Sequence, residues 1–88
     1  MISRATPHFW ELYGQLPTPI KAAARQAYQK FRQDPSNPSL HLERLHFERR
    51  AWSVRVTLNY RAVALRENDL WIWVWIGNHQ EFDRRFPH

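Results

Sequence analysis

The stretch Leu70-Trp71-Ile72-Trp73-Val74-Trp75-Ile76 limits this chain more than any other. It carries no charge and alternates aromatic with mostly β-branched side chains, the residue types that fit a pleated, packed surface. As a helix it falls far short of the ~20 residues that cross a bilayer. As a strand, its period of two sends Trp71, Trp73 and Trp75 to one face and Ile72, Val74 and Ile76 to the other. Both faces are then apolar. Helices can cover one, but 88 residues leave little chain to cover a second, so that side is expected to be a partly exposed cleft or interface. Alternatively, the Trp row packs beside small neighbours such as Ala62 and Ala64, as aromatic stripes in cores do.

The rest of the chain supplies partners for that strand. Leu40 and Leu42 with the polar residues between them predict a first strand, and Trp52-Ser53-Val54-Arg55-Val56-Thr57-Leu58 alternates cleanly as a second. Asn59 is the turn residue before a third strand from Tyr60 to Arg66, and Glu67-Asn68-Asp69 turns tightly into the fourth. Such short connections favour antiparallel neighbours. Gly77-Asn78 ends the fourth strand. The tail from His79 to Phe86 is too short to be a helix alone and is expected as a turn or short helix docked on the sheet.

Before the strands the period is helical. Thr6-Pro7 reads as an N-cap followed by proline at the first helical position, and Phe9, Leu12, Tyr13 and Leu16 recur over a helix from Pro7 to about Gln15. Pro17-Thr18-Pro19 ends it, with Thr18 as the next cap and Pro19 again at the first position. Ile20, Ala23, Ala24, Ala27, Tyr28 and Phe31 form one stripe of a second helix, which Asp34-Pro35-Ser36-Asn37-Pro38 must break. The expected fold is α+β: two N-terminal helices on one face of a twisted antiparallel sheet, in one domain over residues 1–88.

Charge narrows the partners. Thirteen Lys and Arg oppose eight Asp and Glu for a net +5, and eleven of the thirteen are Arg. The planar guanidinium grips phosphate and carboxylate through two parallel bonds and stacks on bases, so the bias points to nucleic acid or an acidic protein. Cysteine is absent, which removes disulfides, thiolate metal sites and cysteine nucleophiles and fits a reducing cytoplasm. The N-terminal residues contain no apolar stretch suited to a signal peptide or anchor, so a soluble cytoplasmic chain is expected.

Gly14 and Gly77 are the two glycines, too few for a phosphate-cradling loop. His41 and His46 are five apart and would fall on opposite faces of a strand, so no shared metal is expected. What remains is a set of cations and imidazoles near the strand half: Arg44, His46, Arg49, Arg50, Arg55, Arg61, His79, Arg84 and Arg85. Such a set can hold a phosphodiester and stabilise its developing charge without a metal.

The same residues carry a resemblance. Two helices with a Pro-ended connection, Asn37-Pro38-Ser39-Leu40, Trp52-Ser53-Val54-Arg55-Val56, Tyr60-Arg61-Ala62-Val63 and a terminal Gly77-Asn78-His79 followed by Phe82 stand in an order that resembles the RelE/ParE superfamily of toxin-antitoxin toxins, in particular its RelE, YafQ and HigB-like mRNA interferases. The resemblance covers nearly the whole chain. It implies a twisted sheet with helices on one face and a catalytic cleft on the other, with an N-terminal strand that only Met1 to Arg4 can supply.

The resemblance also implies an activity: attack of a ribose 2′-hydroxyl on its own phosphate, without cofactor, in mRNA and at the ribosome. Arg61 falls on the position that holds the scissile phosphate and Arg55 on a second basic position, while His79 matches the residue that protonates the leaving 5′-oxygen. Phe82 stands where many relatives have Tyr and is expected to stack on RNA. His46, Arg49, Arg50, Arg84 and Arg85 complete the expected RNA contacts. Glu43, Glu48, Glu81 and His46 are all eligible as general base. Ser53 departs from a position that is basic in some relatives. The implied partners are mRNA and an acidic antitoxin. Two rivals are a ParE-like inhibitor of DNA gyrase and a binding module without turnover.

Overall fold

The computed structural model describes residues 1–86. Its first turn forms as the residues dictate: the Thr6 hydroxyl accepts from the Phe9 N–H at 3.1 Å, with Pro7 opening helix α1 (Pro7–Gly14). Helix α2 (Thr18–Gln33) departs from expectation at its start. Pro17, not Thr18, is the cap, and no side chain caps the helix. The Pro17 carbonyl accepts from the Ile20 and Lys21 N–H groups at 2.9 and 3.0 Å, which draws Thr18 into the first turn.

After α2 the Asn37 side chain accepts from the Ser39 N–H at 3.0 Å and folds Pro38–Leu40 into a single 3-10 turn. Leu40 is therefore a core residue at 1% exposure and not part of a strand. His41 follows in the left-handed region at φ 44, and the ladder begins only at β2 (Glu43–Arg44). The expected first strand is thus displaced and shortened. Strands β3 (Ala51–Thr57), β4 (Tyr60–Glu67) and β5 (Leu70–Asn78) follow, and then helix α3 (His79–Arg85). Asn68 takes the left-handed conformation, φ 53, that the tight β4–β5 turn requires.

An N-terminal strand, β1 (Ile2–Ala5), hereafter called the edge strand, pairs parallel with β5. The other neighbours are antiparallel, so the five-stranded sheet is mixed, in the order edge strand, β5, β4, β3, β2. The N-terminal residues therefore do supply the strand that the resemblance implied, and β5 lies inside the sheet.

The register of β4 with β5 slips once. Val63 lies opposite Trp75 and Ala64 opposite Trp73, leaving Val74 as an extra residue. A bulge of one residue reverses the facing of everything beyond it. Trp71 and Trp73 therefore pack on the helical face against Phe31, with ring centroids 4.9 and 5.2 Å apart. Trp75 turns to the opposite face, and Ile76 takes the helical side. The single Trp row expected from even alternation is split. Ala64 does face Trp73, and Ala62 faces Ile76, so the small neighbours make room on the helical face.

The second face is covered more fully than chain length suggested. Leu45, Ala51, Val63, Trp75 and Phe82 form a second core, with Leu65, Val74 and Phe86 against it. Helix α3 crosses this face, from His79, whose N–H donates to the Asn59 carbonyl at 2.7 Å, to Phe86, whose ring lies 5.7 Å from Phe47. Gly77 makes the crossing feasible: a Cβ there would lie 2.7 Å from the Trp75 ring. Among the described residues no helix is long and apolar enough to cross a membrane.

Candidate active site

Beside the start of α3, the second face turns polar. Register places Arg61 of β4 directly opposite Arg55 of β3 and Gly77 of β5, two positions from Ser53 and Val63 on the same face. Arg61 is only 6% exposed. Its Nη2 donates to the Ser53 hydroxyl at 3.0 Å and to the His41 carbonyl at 3.4 Å, and it lies 3.8 Å from a Glu43 carboxylate oxygen. The guanidinium stands 5.2 Å over the Phe82 ring centroid, and Nε is buried without a partner. Burial lowers the Arg61 pKa, and Arg55 lowers it further, while Glu43 and Asp83 act in the opposite sense. Guanidinium still stays charged at physiological pH. The arrangement is a fixed cation with unused donor capacity, as needed to meet charge that develops in a transition state.

The imidazole comes from α3. Asn78 caps the helix by accepting from the Glu81 N–H at 2.8 Å, which sets His79 in the first turn. His79 Nδ1 lies 3.2 Å from Asp83 Oδ2, one helical turn on, and its ring is edge-on to Phe82 at 6.0 Å. The imidazole is 45% exposed. A carboxylate on Nδ1 orients the ring and leaves Nε2 for proton exchange with a ligand. His79 and Arg61 thus flank one aromatic ring, with Asp83 acting on both.

Arg61, His79 and Glu43 are therefore brought to one end of the second face, whereas Arg55, although opposite Arg61 in register, lines a cavity with Gln26 and Lys30 of α2. The turn at residues 45–50, with His46, Arg49 and Arg50, lies at the other end of β3, roughly 13 Å from Arg55 at strand spacing. Arg50 donates twice to Glu48, at 3.0 and 2.8 Å, and lies 3.7 Å from Glu67. Arg84 and Arg85 pair with Glu81 at 3.0 and 3.3 Å. Two eligible bases, Glu48 and Glu81, are thereby engaged, and the Arg50 hydrogen bond holds the Glu48 carboxyl below its usual pKa. Glu43 is the carboxylate beside Arg61.

Phe82 corrects an expectation. It is 3% exposed, with Arg61 over its ring and Trp75 and Phe86 at 6.2 and 5.5 Å, so no ring face is open to a base. It serves as a platform for Arg61. Ser53 is fully buried and positions the same guanidinium. Asp83 was not among the expected residues, although a His and an Asp four apart carry a signal once the tail is known to be helical. Among the described residues, no group of three or more His, Asp or Glu is arranged to hold a metal ion.

A model of the ParE-like toxin domain matches residues 19–84. Sequence comparison with curated proteins gives no significant match. The fold is similar to that of RelE in the RelB-RelE antitoxin-toxin complex from Methanococcus jannaschii, with a TM-score of 0.71 at 15% identity over 94% of this chain and 98% of that one. YafQ from E. coli strain BL21(DE3) is similar at TM-score 0.75 and 7% identity, covering 91% of this chain and 94% of its own. The YoeB/ParE toxin from Agrobacterium tumefaciens is similar at TM-score 0.71 and 16% identity, covering 90% and 99%. At such identities the likeness is one of fold. The matched family segment runs from the first turn of α2 into α3 and takes in Glu43, Ser53, Arg55, Arg61, His79 and Asp83, and the chain accordingly belongs to the ParE-like toxin domain family of the RelE/ParE superfamily.

Proposed function

We propose that this chain is the toxin of a toxin-antitoxin pair and an endoribonuclease, acting as one domain in the cytoplasm on mRNA at the ribosome. The observation that carries the reading is the Arg61 guanidinium, buried and held over Phe82 beside a His79–Asp83 pair. The 2′-hydroxyl of the substrate attacks the adjacent phosphorus as Glu43 accepts its proton, and Arg61 neutralises the phosphorane oxygens. His79 Nε2 protonates the departing 5′-oxygen while Asp83 holds the ring. The products are a 2′,3′-cyclic phosphate and a 5′-hydroxyl, so atoms and charge balance without a cofactor.

The partner reading rests on charge. A net +5 surface suits an acidic antitoxin, and the Methanococcus relative was solved with its RelB antitoxin. The ParE-like family model supports a second reading, inhibition of DNA gyrase. Mapping mRNA ends in a translation extract separates the two. New 5′-hydroxyl ends that disappear in His79→Gln support the nuclease. Supercoiling inhibition with intact mRNA supports the second reading. Neither effect, with antitoxin binding retained, identifies a module without turnover.

A further inference from the structure

Strand β2 pairs only with Trp52 and Ser53, so the outer edge of β3 beyond them has no strand neighbour. Helix α2 and the Pro38–Leu40 turn close over it and leave a cavity of about 240 Å³. Its polar lining is Gln26 and Lys30 from α2, Ser39 from the turn and Arg55 from β3, with no carboxylate among the lining residues. The Ser39 hydroxyl already donates to Asn37 at 2.9 Å. The available donors are therefore Gln26, Lys30 and Arg55.

Arg55 needs an explanation that the fold does not supply. Among the described residues it has no ion pair and no side-chain hydrogen bond, and its Nε is buried without a partner. A buried guanidinium donor without a partner costs stability, and an acceptor bound beside it relieves that cost. Lys30 sits in the last turn of α2, where a cation suits the helix terminus. That accounts for Lys30 and not for Arg55. Two cations and an amide, unopposed by acid, select an oxyanion.

Arg55 lies directly across from Arg61, so the cavity continues the line of cations from the active site over the edge of β3. We infer that Lys30, Gln26 and Arg55 form a second phosphate subsite, which holds a phosphodiester flanking the scissile one in single-stranded RNA. This rests on the endoribonuclease reading, and the subsite sets where along the RNA the cut falls. A phosphate bound there gives Arg55 a role in binding.

The test compares Lys30→Gln, Arg61→Ala and, as a control on the same helix, Lys21→Gln. With a short single-stranded RNA, Lys30→Gln is expected to weaken binding severalfold and to flatten the log-affinity against log-salt slope by about 0.7, the share of one contact on a single strand. In the translation extract its loss should fall on KM, and Lys21→Gln should match wild type in both assays. An unchanged slope and KM in Lys30→Gln, while Arg61→Ala abolishes cleavage, overturns the subsite and leaves the nuclease reading standing. Failure of the wild-type chain to produce new 5′-hydroxyl ends overturns the nuclease reading instead. Titration of inorganic phosphate, followed through the Arg55 Nε–H signal, separates the two sources of oxyanion: a shift there without any RNA effect of Lys30→Gln means a free-anion site and also overturns the proposal.

Discussion

At the scale of residues, the site sets stability against function. Arg61 is buried at a cost, as its lowered pKa shows. A base whose pKa is lowered by folding is destabilising in its charged form at every pH below that pKa, so deleting the charge removes a penalty. Arg61→Met should therefore hold stability within about 1 kcal/mol of wild type or raise it, while mRNA cleavage in the extract is lost. A fall of several kcal/mol in urea unfolding would instead make Arg61 a structural anchor. His79 is half exposed and contributes little packing. His79→Gln should leave unfolding unchanged and lower kcat by ~100- to 10,000-fold, the range of a positioned proton donor. If single-turnover cleavage stays within threefold of wild type, the acid lies elsewhere.

At the scale of elements, the β5 bulge and α3 work together. Val74 turns Trp75 onto the second face, Trp75 lies over Gly77, and Phe82 closes on Trp75. Gly77→Ala puts a methyl 2.7 Å from the indole, and overpacking of this kind typically costs about 1–3 kcal/mol. Chemical denaturation should register that loss, and cleavage should fall with it because α3 carries His79. The 45–50 turn has its own clasp. Its Glu48 carboxyl has a lowered pKa, chiefly from the Arg50 hydrogen bond. An acid depressed by folding contributes above its unfolded pKa and loses that contribution as pH falls through the folded value. Amide protection in residues 45–50, taken relative to intrinsic exchange at each pH, should therefore fall in acid below the usual carboxylate range while β4 stays protected, and Glu48→Gln should remove the pH step.

For the whole molecule, the cations are unevenly committed. Arg50, Arg84 and Arg85 are paired within the chain, whereas Lys30 and Arg55 meet no carboxylate among the described residues. An acidic antitoxin or an RNA should therefore bind with an affinity that falls steeply between low and physiological salt. Antitoxin titrations by calorimetry at two ionic strengths check this, and equal affinities at both would remove charge as the basis of pairing. RNA and antitoxin should also compete if both draw on these cations.

The elements were legible in the sequence because their signals are local: the Thr6-Pro7 cap, the proline break after α2, and the period of two in β3 to β5 each act within a few residues. Residue types marked out a set of cations and imidazoles, and the resemblance, carried by motifs that are equally local, singled out Arg55, Arg61 and His79 within it. What needed the tertiary structure was every fact that depends on two strands or two elements at once. The slip at Val74 belongs to the β4–β5 pair, so no pattern within β5 could announce that Trp75 faces away from Trp73. Phe82 became a buried platform only because α3 folds back over Trp75, and Ser53 and Glu43 reached Arg61 only through strand register. Side-chain identity is a property of the chain, but facing, burial and partnership are properties of the packed sheet.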